Sequence, residues 1–486
     1  MRRILWVLIN TGLLSFLIVG CSNSNVKEAV KELTINDIWH APGYGITASL
    51  SNEKIVLYQS TSEYCQSWDL EISYQDFVNS SEMSDDLQSI VVTFDNAKQP
   101  GMVMQRQKSL PASCSNGVIA KRGDSGYQFN PQLDFDIFWQ TFNEHYAFFH
   151  IEDVDWAALY SEADQVIDES TTEEELFSVL AALIEPLLDF HVSLENENLD
   201  EDFSVNRKPD LSDIALDEFI ELFAITEPYT QDDADAFADY YQQQLDTVSE
   251  IILGYFNNVN DLKLNESENM VWGVLPDNIG YLSMETMEAE ELGLESNSVQ
   301  QNTLLIQADL NKVFSDFANV NGIIIDVRTN GGGDDFVGRM VVSHLIESDL
   351  HVYSKQARLG AGRTELQRVI TKPASSNRFT GPVAMLTSTS TSSAAETFAM
   401  AIKARNNTRL IGEDSAGGLS DILPLSLPHG LNYSLSNEFY LSVNGDEWEG
   451  AGIPVDQQQP FFTLEQRQNQ QDLGLSAAIE WISSNQ

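Results

Sequence analysis

Residues able to carry nucleophilic chemistry concentrate in three short segments of this 486-residue chain. In the first, the strand-like PVAMLT runs into small hydroxyl residues, Ser388 to Ser393, and then into the helical pattern AAETFAMAIKA. A serine at that junction, Ser393, lies beside unpaired backbone N–H groups at the positive end of a helix. Such groups can also stabilise an oxyanion, often the largest contribution in acyl transfer. Taken alone, the segment reads rather as a serine-rich turn with an ordinary N-cap.

The second segment is GIIIDVRTNGGGDDF, in which Gly331, Gly332 and Gly333 follow a buried strand. Successive glycines let backbone amides approach a ligand without Cβ interference. A phosphate loop is the competing reading. The Gly-x4-Gly-Lys-Ser/Thr spacing is missing, however, and Asp334 and Asp335 follow directly. The end of an oxyanion-holding strand fits better. The third requirement is a base. Of the seven histidines, His191 in LLDFHVSL stands between a helix end and a strand-like run. On its own it reads as structural. Glu449, in the Gly-bounded turn DEWEGAGIPVD, can supply the acid that a base needs for orientation.

Several elements must position these groups. Residues 33–125 contain short strand patterns (ITASL, KIVLYQS, SIVVTFD) and predict a small β domain. Residues 130–270 predict a helical domain carrying His191: Phe135, Phe138, Phe142 and Tyr146 recur at helical spacing, and Thr171 or Thr172 precedes EEE as an N-cap. From 271 to 486 strands and helices alternate, which predicts a largely parallel sheet with right-handed crossovers. The acidic run DDADAFAD lacks the glycine and spacing of a calcium loop and reads as a solvated helix face.

The N-terminus speaks to compartment. Arg2 and Arg3 precede an apolar run ending Ile18-Val19-Gly20-Cys21. Residues 1–20 read as a secretory signal. The run is short of the ~20 apolar residues of a spanning helix. It resembles a bacterial lipobox, which implies cleavage before Cys21, diacylation of that sulfur, and a membrane anchor joined by a polar tether over 21–32. Cell-envelope localisation follows, at the outer membrane if the cell has one. Two cysteines remain, Cys65 and Cys114; in an oxidising compartment they suggest one disulfide, with two free thiols as the alternative. A formal charge of -48 argues against nucleic-acid partners.

GIIIDVRTNGGG, STSSAAETFA, IGEDSAGGLSD and EWEGAGIPVD, in this order, resemble the catalytic core of the tricorn-type and C-terminal processing serine peptidases, and LLDFHVSL resembles the histidine-bearing segment of the tricorn-like branch. The resemblance covers about 130–195 and 270–462. It implies a multidomain α+β protein with a C-terminal α/β crotonase-like (Clp-peptidase-like) core. It further implies Ser393 as nucleophile, His191 as general base and Glu449 as its orienting acid. Gly332 and the amide of Ala394 are implied as oxyanion donors, the choice of glycine being open by one position. No cofactor or metal is implied, and the substrate would be a peptide or protein.

Two residues depart from the family pattern. Where the processing branch carries its lysine stands Gly418, so histidine must serve as base. Before the histidine, where the tricorn type has serine, stands Phe190. No PDZ signature is evident between His191 and Trp272. The competing functional readings are a non-catalytic ligand- or peptide-binding lipoprotein on the same fold and acyl-CoA chemistry. The last would want basic residues for the CoA phosphates.

Overall fold

The computed structural model describes residues 37–68, 72–93, 101–205, 207–226, 228–292 and 299–485. The expected signal sequence over 1–20, Cys21 and the expected tether over 21–32 lie outside them. Among the described residues no helix is long and apolar enough to cross a membrane.

The C-terminal sheet has seven strands in the order 263–264, 270–275, 279–284, 322–326, 383–387, 408–412, 457–458. The first two pairings are antiparallel and the remainder parallel. Its central strands are apolar on both faces because helices cover both. Ile323, Ile325, Val383 and Met385 enter one core with Val337, Phe398 and Ile402 of the helices Asp335–Ser343 and Ala394–Lys403. The alternate residues Ile324, Ala384 and Leu386 enter the opposite core with Leu475 and Ile482 of the helix Leu473–Ser484. Period-two alternation in a parallel sheet buried on both sides accounts for the near-continuous hydrophobic runs.

Residues 38–107 form a seven-stranded antiparallel sheet, ordered 65–67, 54–60, 46–51, 38–41, 102–107, 89–92, 81–83. Its core is not private. Trp39, Ile46 and Met104 belong to one apolar cluster with Phe135, Phe138 and Phe142 of the helix Pro131–His145, and with Leu423, Tyr433 and Leu435 of the hairpin 422–436. The aromatic stripe is therefore packing. Helix Glu173–Ile184 begins at Thr172, whose hydroxyl accepts from Glu175 N at 3.2 Å while Glu175 returns a carboxylate to Thr172 N at 2.9 Å. The acidic helix Gln231–Leu253 buries no residue.

One crossing matters for chemistry. The strand Ser193–Asn196 pairs antiparallel with 432–436, Leu194 opposite Tyr433. Ser434 Oγ donates to the His191 carbonyl at 2.7 Å and accepts from Ser193 N at 3.1 Å. A segment from the helical half is thereby stitched onto the catalytic half.

Cys65 and Cys114 are bonded to each other, closing a loop of 49 residues between the strand 65–67 and the short helix 112–116. A loop of that size should contribute about 4 kcal/mol through the unfolded chain. Replacing both cysteines by serine is expected to lower the denaturant midpoint, and reductant should then have no further effect on the variant.

Candidate active site

Ser393 caps the helix Ala394–Lys403 with φ 53° and ψ -122°. That backbone is strained for a residue with a Cβ, at a cost on the order of 1–3 kcal/mol. What holds it is Glu396. The carboxylate is fully buried. Its Oε1 accepts from Ser415 Oγ at 2.6 Å and Gly417 N at 2.7 Å; its Oε2 accepts from Gly418 N at 2.8 Å and Ser393 N at 3.1 Å. Burial pushes the Glu396 carboxyl up, and these donors pull it back. Glu396 thus ties the serine turn to the glycine turn 415–418. Sequence reasoning missed this role, although Ser-x-x-Glu is a capping-box pattern.

Gly332 approaches the serine closely: at φ +109°, a Cβ there would fall 2.6 Å from Ser393 Cβ. Its amide, however, is already spent. Gly332 N donates to the buried Asn330 Oδ1 at 2.9 Å, so the structure corrects the expectation that this amide is an open oxyanion donor. Asn330 in turn donates to Met284 O at 3.0 Å. The next residue is better disposed. Met287 donates to Gly332 O at 2.7 Å and accepts from Asp334 N at 3.0 Å, in a parallel bridge centred on Gly333. Such a bridge turns Gly333's own N–H to the other side, and Gly333 lines the cavity that holds Ser393.

That cavity, of about 370 Å³, is also lined by His191, Asp335, Lys355 and Asp421. Ser393 and His191 are therefore brought to one space. His191 is buried, and its Nδ1 has no protein partner. Burial pushes the imidazole below its usual range; the negative charges of Asp189 and Asp421 and the Ser420 backbone oppose this.

Glu449 stands elsewhere than expected. Its Oε2 accepts from Leu419 N and Ser420 N, both at 2.9 Å, and the imidazole Nδ1 has no bond to it. Burial, followed by the charges of Asp189 and Glu396, pushes the Glu449 carboxyl well up. A carboxylate engaged with these two amides orients the loop that contacts the ring. The carboxylate next to His191 is Asp189: its Oδ1 accepts from His191 N at 3.0 Å and its Oδ2 from Tyr146 OH at 3.2 Å. Its place two residues before the histidine was the available signal.

The departures from the family pattern fit one another. A Cβ at Gly418 would lie 2.2 Å from Phe190 Cε1, so the phenyl ring occupies the space into which a residue-418 side chain would grow. The same ring packs against His191 in a tilted arrangement, 4.2 Å between centroids. On the far side of Phe190 lies a second cavity, of about 470 Å³, with Arg207, Lys208 and Tyr241 in its wall. Among the described residues no cluster of His, Cys, Asp and Glu has metal-ligand geometry.

A strained serine at a helix start, with an imidazole and glycine amides around one cavity, on a mixed α+β scaffold, is the arrangement of a serine-type hydrolase. Residues 278–458 match Peptidase family S41, and residues 130–185 match the tricorn protease C1 domain. The C-terminal core is thus similar to family S41 and the helical segment to the tricorn protease, and these matches support a serine-type peptidase. Solved structures share the fold. A candidate peptidase from Parabacteroides merdae has a TM-score of 0.55 at 22% identity, over 73% of this chain and 97% of its own. Mature CPAF has a TM-score of 0.50 at 12% identity, over 73% of this chain and 98% of its own. The photosystem II D1 C-terminal processing protease covers 68% of this chain and 94% of its own, at 13% identity and a TM-score of 0.39.

Glu396→Gln places an amide donor among backbone donors and is expected to cost about 2–3 kcal/mol. A urea titration should register it, and cleavage of a peptide substrate should fall in parallel as Ser393 relaxes. Unchanged stability would refute the tie.

Proposed function

We propose that this chain is an exported, lipid-anchored peptidase in which Ser393 attacks the scissile carbonyl and His191 takes its proton. The observation that carries the reading is that these two residues, far apart in sequence, line one cavity together with the glycine turn. The Gly333 and Ala394 amides receive the oxyanion. His191 then returns the proton to the leaving amine, and water releases the acyl-enzyme by the same route. Asp189 supplies the negative charge that favours the imidazolium as it forms, and Glu449 holds the 419–420 backbone against the ring. The unpartnered Nδ1 is the atom that a bond from Asp189 or Glu449 would engage as the site tightens on substrate.

Ser393→Ala and His191→Ala are each expected to lower turnover of a peptide substrate on the order of 10⁴-fold or more, since members of such a unit fail together. A fluorophosphonate probe should label the wild type and spare Ser393→Ala. A wild type that stays unlabelled while binding peptides would favour the non-catalytic reading.

The pH dependence carries a sign. A base whose pKa is lowered stays unprotonated in more acidic solution, so the acid limb of kcat/KM should fall below the ordinary imidazole value of about 6.5. A limb above that value would exclude the buried His191 as the base. Export and lipidation rest on the Cys21 motif. Cys21→Ser should abolish incorporation of a labelled fatty acid and release the protein from membranes.

A further inference from the structure

Besides the shared apolar cluster, one turn of the N-terminal sheet packs tightly against the C-terminal half. The turn between strands 38–41 and 46–51 presses Gly43 onto the strand 350–359 so closely that a Cβ there would fall 2.5 Å from Arg358 O. Asn437 Nδ2 donates to Gly43 O at 3.0 Å, and Arg358 N donates to Asn437 O at 2.9 Å. From this turn Tyr44 OH donates to Glu438 Oε1. Glu438, almost wholly buried, also accepts from Lys355 Nζ on both oxygens, at 2.9 and 3.0 Å. The two belong to paired strands, Lys355 facing Tyr440 and Glu438 facing Ala357, so they are diagonal neighbours across the ladder.

Lys355 lines the cavity that holds Ser393 and His191, and it is the one lysine or arginine in its described wall. An ammonium has three N–H donors, and Glu438 engages it through its two oxygens. Lys355 therefore keeps donor capacity beside the cavity. Glu438 reaches the base as well: its N–H donates to Ser420 Oγ at 3.1 Å, in the loop whose amides Glu449 holds. One buried residue thus links a tyrosine of the N-terminal sheet to both sides of the cavity, to Lys355 through its carboxylate and to Ser420 through its backbone N–H.

We propose that Lys355 binds a carbonyl oxygen of the substrate peptide, and that the N-terminal sheet sets Lys355 in place through Tyr44 and Glu438. Tyr44 is a positioning residue; the sheet is a working part of the peptidase. The inference rests on the reading of this cavity as the active site. Burial and Glu438 push the Tyr44 phenol well above its ordinary range, so it remains a donor throughout the working pH range.

The test uses the full chain and a quenched fluorogenic peptide. Lys355→Met should raise KM about tenfold, the loss of one charged hydrogen bond to substrate, with fluorophosphonate labelling of Ser393 retained. Tyr44→Phe, which removes a single oxygen, should raise KM in the same direction by a smaller factor. In the Lys355→Met background Tyr44→Phe should add nothing to KM. Because Lys355→Met leaves Glu438 without its cation, the pair Lys355→Met, Glu438→Gln provides a neutral control and should show the same raised KM. Unchanged KM in Tyr44→Phe, or effects of the two single variants that multiply, would overturn the proposal. A purely structural role would lower Tm and leave KM in place. Failure of the underlying reading looks different: the wild type would then show neither labelling nor cleavage.

Discussion

An ionised carboxylate removed from water costs several kcal/mol unless its lone pairs are met. Glu396 meets that demand with two glycine amides, one hydroxyl and the amide of Ser393 itself. Each donor comes from a turn that has no regular ladder to satisfy it. The serine turn and the glycine turn therefore have one low-energy arrangement, in which the strained Ser393 backbone is compensated by bonds three residues along its own helix. Whatever chemistry occurs at Ser393 presupposes that anchor, and the close neighbour Gly332 leaves no room there for a Cβ.

The second half of the site arrives by a different device. His191 belongs to a segment that leaves the helical region and joins the hairpin 422–436 as an added strand. Register, together with the Ser434 hydroxyl on either side of the junction, decides where the imidazole lies. Phe190 completes the placement. Its ring fills the volume over Gly418 and packs tilted against the histidine, so with Phe190 placed as it is a side chain at 418 would clash with it. The glycine at 418 and the placement of His191 are two aspects of a single packing arrangement around Phe190. Asp189 and Glu396 lie close to Glu449; burial first, and then their charges, push the Glu449 carboxyl well up.

The N-terminal sheet, the helices and the hairpin share one apolar cluster. Stability of the sheet is thus coupled to the position of the hairpin, and through the hairpin to the strand that follows His191. A domain packed in this way acts as a frame for the active site, which gives physical content to an otherwise anonymous set of short strands.

Much of this was legible in the chain. Alternating apolar runs dictated the parallel sheet, because a strand covered by helices on both faces leaves no polar side. The aromatic stripe of the helix 131–145 and the cap at Thr172 follow from 3.6-residue periodicity and capping chemistry, both local. Ser393 at a strand-to-helix junction is local too. Tertiary structure alone decided which amide near Ser393 is open, since the Gly332 N–H is taken by a side chain two residues away whose orientation is set by Met284 across the sheet. It also decided that Glu449 reaches backbone amides and that Asp189 sits beside the base, because turns brought together from distant segments satisfy their orphan donors with whichever carboxylate is nearest in space. Sequence spacing encodes what a residue can do within its own element; the partner it meets across elements depends on packing that no single segment contains.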